Sequence, residues 1–339
     1  MRDSHTMKHV LMRSCRSGLE EPEIPGRREV AAWLASLGLT ALWPVVASAS
    51  EAASQPLAVI FPEIEEPYRS FFLNMVRGIE ELWQAPVRTW PLSSEVSSDQ
   101  VLSRVRQERV QTVVVLGRSG LTLASELAKV CQVVAGGVVS VPESEAQGLL
   151  VQSMAPDPAL LFGALRGFKP SLRRIFVVQD PRQNAWLMRL ARDAARQLGL
   201  ELQVQEAQDL RTAARLYRDL LPRINGRSDA LWLPQDTVTV EDSALVPLLL
   251  KEAWSQRFAV VSSNAAHVRR GALLALYPDN MDVGRELATL AGQAGAQGPS
   301  RGIQPMRRLR TAVNTRTASH LGLDLDASSQ RIHLVLPEQ

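Results

Sequence analysis

The sequence predicts an α/β protein made of two Rossmann-like lobes, each around a parallel sheet. Three observations carry this. At 339 residues the chain exceeds what one core commonly holds, because single cores stop growing near ~250–300 residues. Two long series of apolar strand and amphipathic helix follow one another along the chain. Alternation of that kind implies right-handed crossovers and parallel pairing. Lastly, a strand, a helix and a returning strand close the chain after both series, which suggests a path that crosses between lobes.

The N-terminus has the layout of a leader and signal peptide over residues 1–49. Met1–Pro25 is polar, Arg27 and Arg28 precede the apolar run Val30–Val46, and Ala47-Ser48-Ala49 has the small-residue spacing of a cleavage site. Cleavage is expected just before Ser50, with a periplasmic product. The apolar run is short beside the ~20 residues of a bilayer span, so no stable membrane span is expected after cleavage. The paired arginines also permit a twin-arginine route.

The first series starts at Leu57–Phe61 (LAVIF), a strand stopped by Pro62. Phe71–Trp83 has helical spacing through Phe72, Met75, Val76, Ile79 and Leu82. Val87–Trp90 is a weaker strand, and Asp99–Arg109 a helix with Val101, Leu102 and Val105 on one side. Gln111–Leu116 (QTVVVL) is β-branched and apolar, the clearest strand of this half. Leu121–Val130 is the helix behind it, and Gln132–Ala135 opens another strand.

The second series runs through helix Pro158–Phe168, basic turn Lys169–Arg173 and strand Arg174–Gln179. Helix Ala185–Leu198 closes at Gly199. Strand Glu201–Glu206, helix Asp209–Leu221, strand Ala230–Leu233, helix Ser243–Gln256 and strand Phe258–Val261 follow. The closing portion begins with strand Ala272–Tyr277, stopped by Pro278. Asp279 stands where its carboxylate can cap the next helix, which carries Met281, Val283, Leu287, Leu290 and Ala291. A Gly/Pro-rich break at Gln297–Pro305 precedes strand Arg310–Asn314, and the Arg-rich Met306–Arg310 reads as a solvated loop.

Composition removes several function classes. The net charge is +3, the positive residues are scattered, and aromatics make up 5%, whereas nucleic-acid binders carry a dense basic stripe. Cys131 stands alone after removal of the leader and sits among valines, so it reads as a buried apolar thiol. The sequence contains no G-x-G-x-x-G after a strand, no P-loop, no H-E-x-x-H and no G-x-S-x-G. His267 and His320 are isolated, without metal-ligand spacing, and neither cofactor nor metal is expected.

Several phrases in order resemble the ABC-transporter substrate-binding family that includes tryptophan- and tyrosine-type receptors. They are Leu160–Gln179, Asp229–Asp236 (DALWLPQD), Val268–Ala272, the Asp279…Gly284-Arg285 helix, and Asn314, Arg316, Thr317, Ala318, Leu321 and Gly322. The resemblance implies the class I periplasmic binding protein fold, with three hinge crossings and a ligand cleft between lobes. It places the crossings near Val151–Met154, Ala275–Pro278 and Thr311–Asn314. Residues 55–153 plus 280–310 would then form the first lobe, and 154–279 plus 311–339 the second. The stretch Gly148–Asp157 (GLLVQSMAPD) lacks the Pro-Gly-Gly-Asn turn common in that family. The function implied is a periplasmic receptor that binds a small polar ligand, amino-acid-like by preference, and delivers it to an ABC permease. A same-fold receptor that signals to a membrane sensor, and an exported α/β enzyme, stay open as alternatives.

In open parallel sheets ligands bind at the carboxyl ends of strands, which selects the candidate residues. Tyr68 and Arg69 follow the first strand and offer a stacking face and a charge. Arg118 and Ser119, in Gly117–Gly120, precede a helix whose N–H groups could hold a carboxylate. Asp180, Asp236, Ser263 and Asp279 occupy the corresponding loops of the second series and the late strand, where they could take an amino group or hydroxyl. An Asp beside Pro at a strand end is also an ordinary turn former or cap, and Arg118 an ordinary loop charge. Trp232, between two leucines, reads as core.

Overall fold

The computed structural model describes residues 55–297, 301–325 and 331–337; the expected leader and cleavage site lie outside them. The first sheet is built from β1 (Leu57–Pro62), β2 (Val87–Leu92), β3 (Thr112–Leu116), β4 (Gln132–Val138), β5 (Leu150–Pro156) and β11 (Gly302–Met306), in the order β11-β5-β4-β3-β1-β2. The second contains β6 (Arg174–Gln179), β7 (Glu201–Glu206), β8 (Asp229–Leu233), β9 (Ala259–Ser262), β10 (Leu274–Pro278), β12 (Leu309–Asn314) and β13 (Leu334–Leu336), in the order β13-β12-β10-β9-β8-β6-β7. Every pairing is parallel except β10 with β12.

Alternating side chains make each sheet the middle of three layers. On β1, Leu57, Val59 and Phe61 face the helices α1 (Tyr68–Leu82) and α9 (Asn280–Gln297). Ala58 and Ile60 face α2 (Ser98–Gln107) and α3 (Gly117–Leu127). On β6, Ile175 and Val177 pack under α4 (Pro158–Phe168) and α5 (Pro181–Gln197). Phe176 and Val178 pack under α6 (Leu210–Leu220) and α7 (Leu245–Gln256). Strands buried on both faces need near-continuous apolar runs, which is why LAVIF, TVVVL and RIFVVQ were legible. Trp232 is fully buried, its ring edge-on to Phe162 at 5.3 Å.

Both sheets turn their carboxyl edges toward one junction. β5 leaves the first sheet at Pro156 and Asp157 opens α4 on the second; β10 leaves the second sheet at Pro278 and α9 packs on the first. The third passage lies at Arg307–Arg308, between β11 and β12, ahead of the expected Thr311–Asn314. Gly302–Met306, read as part of a break, is a strand because it adds to the open edge of β5. The Arg-rich segment is accordingly a two-residue passage between strands rather than a loop, and its arginines are exposed yet paired. Arg307 pairs with Asp157 (3.1 Å), Arg310 with Asp279 (3.1 Å) and Arg308 with Glu286 (3.2 Å). The Asp157 N–H also donates to the Met306 carbonyl at 2.9 Å.

α9 is seated on α1 through two glycines. A Cβ on Gly78 would lie 2.0 Å from the Met281 carbonyl oxygen, and one on Gly284 would lie 2.0 Å from that of Met75. Backbone therefore touches backbone, and no larger residue fits. Arg285 locks the same crossing with an ion pair to Glu81 of α1, and Asp282 of its own helix steadies it, both at 2.7 Å. Replacing Gly284 by Ala should destabilise the chain by about 1–3 kcal/mol in urea unfolding, the usual cost of overpacking. Gly163→Ala, on a helix position with nothing within 4 Å of a new Cβ, should be neutral or stabilising. Equal effects at the two positions would contradict the close-approach reading.

Candidate functional site

The candidate site is the junction where the two carboxyl edges meet. From the first lobe come the β1–α1 turn, the start of α3 and the segment after β4. Tyr68 and Arg69, expected in a loop, form the first turn of α1. The Tyr68 ring is largely exposed and stacks on Phe71 with centroids 6.3 Å apart. The Arg69 guanidinium has no hydrogen bond or ion pair to any described residue. Gly117–Gly120, also read as a loop, is the first turn of α3; Gly117 takes φ +74° there, with the Phe72 ring against it. Ser119 is exposed, and Arg118 is turned to Glu145 in an ion pair of 2.7 Å.

The aspartates of the second lobe are engaged by the chain itself. Asp236 is 4% exposed and receives four N–H groups: Val238 and Thr239 at 2.9 Å, Asp180 at 2.6 Å, and the Asn184 amide at 2.9 Å. Two carboxylate oxygens have about four acceptor sites, so its capacity is filled. Asp180, fully buried, caps α5 through the Arg182 N–H (3.0 Å) and holds the Arg182 side chain at 2.6 Å. Burial pushes its carboxyl upward, and the bonds from Arg182 more than offset this, leaving it below the usual carboxylate range. Asp279 caps α9 at the Met281 N–H (3.0 Å) while pairing with Arg310. Ser263 is buried at the end of β9; its N–H donates to Leu233 (3.3 Å) and its carbonyl accepts the Gln235 amide (3.2 Å).

Several junction residues escaped the sequence reading. Ser140 and Gln183 meet across the lobes at 2.6 Å, and Glu143 forms an ion pair with Arg189 of α5. The hydrogen bond from Arg189 lowers the Glu143 pKa despite the opposing effect of burial. Gln235 Oε1 is a buried acceptor without a protein partner among the described residues. Its Nε2 must face the Ser263 carbonyl, which only accepts, so the orientation of the amide is fixed. A residue pair joined only by the fold leaves no spacing signal, whereas the strand–Pro–Gln–Asp phrase did mark the position of Gln235.

His267 is not isolated. Its Nδ1 lies 2.7 Å from Ser262 Oγ and its Nε2 2.9 Å from Asp242. The carboxylate only accepts, so Nε2 carries the proton and Ser262 donates to Nδ1. Ser262 also accepts the Asn264 N–H at 3.1 Å and is 1% exposed. The Ser262 and His267 end of this line is buried and its Asp242 end exposed, and it fastens the end of β9 and the segment before α7 to α8 (Ala265–Arg269). Burial lowers the imidazole pKa, with Asp242 opposing. Cys131 is partly buried, with its thiol pushed up to about 11 by burial. Among the described residues no cluster of His, Cys, Asp or Glu could hold a metal, and no helix is long and apolar enough to cross a membrane.

Two isosteric changes separate filled from cap-only carboxylates. Asp236→Asn turns an NH2 toward two buried donors and should lower unfolding free energy by about 2 kcal/mol, within the range for unsatisfied buried groups. Asp279→Asn should cost under about 1 kcal/mol, because Asn caps as well as Asp and an exposed pair is worth little. Urea titrations of the two variants check this; the reverse order would show that Asp236 is not filled as described.

No protein-family model matches the sequence, and no curated protein matches it. Solved structures do match the fold. A ligand-free, open substrate binding protein with adhesive properties from Clostridium difficile aligns at a TM-score of 0.57 and 13% identity, over 84% of this chain and 100% of that one. An ABC domain in complex with L-Trp from Streptococcus pneumonia aligns at 0.52 and 13% identity, over 83% and 100%. A conserved domain protein from Vibrio cholerae aligns at 0.51 and 16% identity, over 83% and 99%. At these identities the likeness concerns the fold, and that fold is the class I periplasmic binding protein architecture.

Proposed function

We propose that the chain is a solute receptor whose lobes close on a small polar ligand at the junction of their carboxyl edges. The observation that carries this reading is the convergence of both edges on one junction crossed three times, with Arg69 of one lobe and Gln235 Oε1 of the other lacking side-chain partners among the described residues. On this reading the product is exported to the periplasm and hands its ligand to an ABC permease. It acts by binding rather than catalysis, in line with two neighbours described as a substrate binding protein and a domain in complex with L-Trp.

The first lobe supplies Arg69 for an anionic group, the Tyr68 ring for an apolar face, and Ser119 with the N–H groups of the first turn of α3. The second supplies Gln235 Oε1 and Ser263, as acceptors for an ammonium or hydroxyl. Asp180, Asp236 and Asp279 shape the cleft wall, and Arg118 holds the Glu145 segment. An amino-acid-like ligand satisfies both ends, since it carries a carboxylate and an ammonium.

Thermal-shift screening of the chain against amino acids, sugars and nucleosides tests the proposal, because a ligand bound only by the folded state raises stability as RT ln(1 + [L]/Kd). Hydrogen bonds to charged groups contribute about 1.5–3 kcal/mol. Arg69→Ala should therefore weaken an amino-acid hit about ten- to a hundredfold in calorimetric titration. Unchanged affinity in both Arg69→Ala and Gln235→Ala would remove these residues from the site. A screen without any hit would count against the receptor reading itself.

A further inference from the structure

We propose a second ligand site, inside the first lobe alone, that takes small apolar carboxylates. A cavity of about 280 Å³ lies between β2 and α2. β2 is an edge strand of its sheet, with β1 as its sole strand neighbour. α2 is anchored to the core by Val101 and Val105, while the Ser97–Gln100 capping box fixes its first turn. The gap between them has Ile60, Val101 and Leu92 as apolar surface and the Trp90 indole as a wall. The volume is near the small end of ligand pockets, which run from about 300 Å³, and suits one ring with a short acid.

The polar groups around this cavity are donors. Arg104 lies over the Trp90 ring at 4.4 Å, and its Nε donates to Glu108 at 2.7 Å. Its two terminal amino groups make no hydrogen bond to any described residue. Gln100 gives its oxygen to the Ser97 N–H at 2.9 Å, so its Nε2 is left as a donor. The Trp90 indole N–H has no acceptor among the described residues and is not a buried atom, so it is open to a ligand or to water. No carboxylate lines the cavity. Glu108, the partner of Arg104, is also held by Arg88. Arg104 is the one charged residue of the lining, and its terminal N–H groups select an anion, while the apolar surface selects a hydrocarbon body. Every lining residue belongs to the first lobe, so occupancy requires neither lobe closure nor the cleft residues.

Phenylacetate is the probe, with phenylacetamide and phenethylamine as neutral and cationic controls, read by saturation-transfer NMR and calorimetry on the wild-type chain. Phenylacetate should bind about tenfold or more tightly than either control, the loss expected for a missing charged contact. Arg104→Met should weaken it by about the same factor. Val96→Trp, at an exposed lip residue, should block the cavity without touching the core, so it decides the matter if Arg104→Met folds poorly. Arg69→Ala should leave binding unchanged, which separates this site from the interlobe cleft. The proposal is overturned by no binding at millimolar phenylacetate, by equal binding of the amine, by wild-type binding in Val96→Trp, or by loss of binding in Arg69→Ala.

Discussion

The ion pairs from Arg307, Arg308 and Arg310 are the constraint on which the two-lobe arrangement rests. Each pair has an exposed arginine and alone would contribute little, about 0–1 kcal/mol. Their effect comes from the partners. Asp157 and Asp279 are the residues at which the chain has just crossed, and each also caps the helix that follows. One carboxylate oxygen thus fixes a helix start while the other takes an arginine, Arg307 in the third passage or Arg310 just after it in β12. The three crossings are tied to one another, and the direction in which α4 and α9 leave the hinge is set by the same groups.

From that hinge the remaining architecture follows. α9 emerges from the second lobe and must dock on the first, and the Gly78–Gly284 contact lets it approach α1 backbone to backbone. The returning strand β12 then needs an anchor. Asn314 supplies it by capping α10 (Thr315–His320) at the Thr317 N–H, 2.9 Å, and donating to the Val268 carbonyl at 2.8 Å. Thr317 adds a bond of 3.0 Å to Gly271. The Gly-Arg and Asn-x-Arg-Thr-Ala phrases that carried the family resemblance are therefore structural. They mark how the chain closes the fold, and they do not specify a ligand.

Most of the fold was legible because the strands are buried on both faces and the helices on one. The misses have physical causes. β5 carries Gln152 and Ser153 within an otherwise apolar run, their polar atoms answered by Gln304 and Val139 across the fold. β11 contains Pro305, which argues locally against a strand and is tolerated at a sheet edge. The candidate site was legible in position and less so in role. Strand-end logic located the aspartates, but their filling by Asn184, Arg182 and Arg310 depends on contacts distant in sequence or on loop geometry. The same holds for Arg118, whose partner Glu145 is 27 residues away. Gln235 gives no signal in the sequence because a neutral amide beside Asp236 carries no motif, although its buried oxygen has no partner among the described residues.

Pulsed electron–electron distance measurement between spin labels at Ser103 and Arg192, with the native cysteines replaced, tests the hinge account most directly. Both positions are exposed, one in each lobe. The wild-type chain should give a narrow distance distribution. Arg307→Gln combined with Arg310→Gln should broaden it while circular dichroism stays unchanged, since each lobe keeps its own core. An equally narrow distribution in the double variant would show that the ion pairs do not hold the lobes in register.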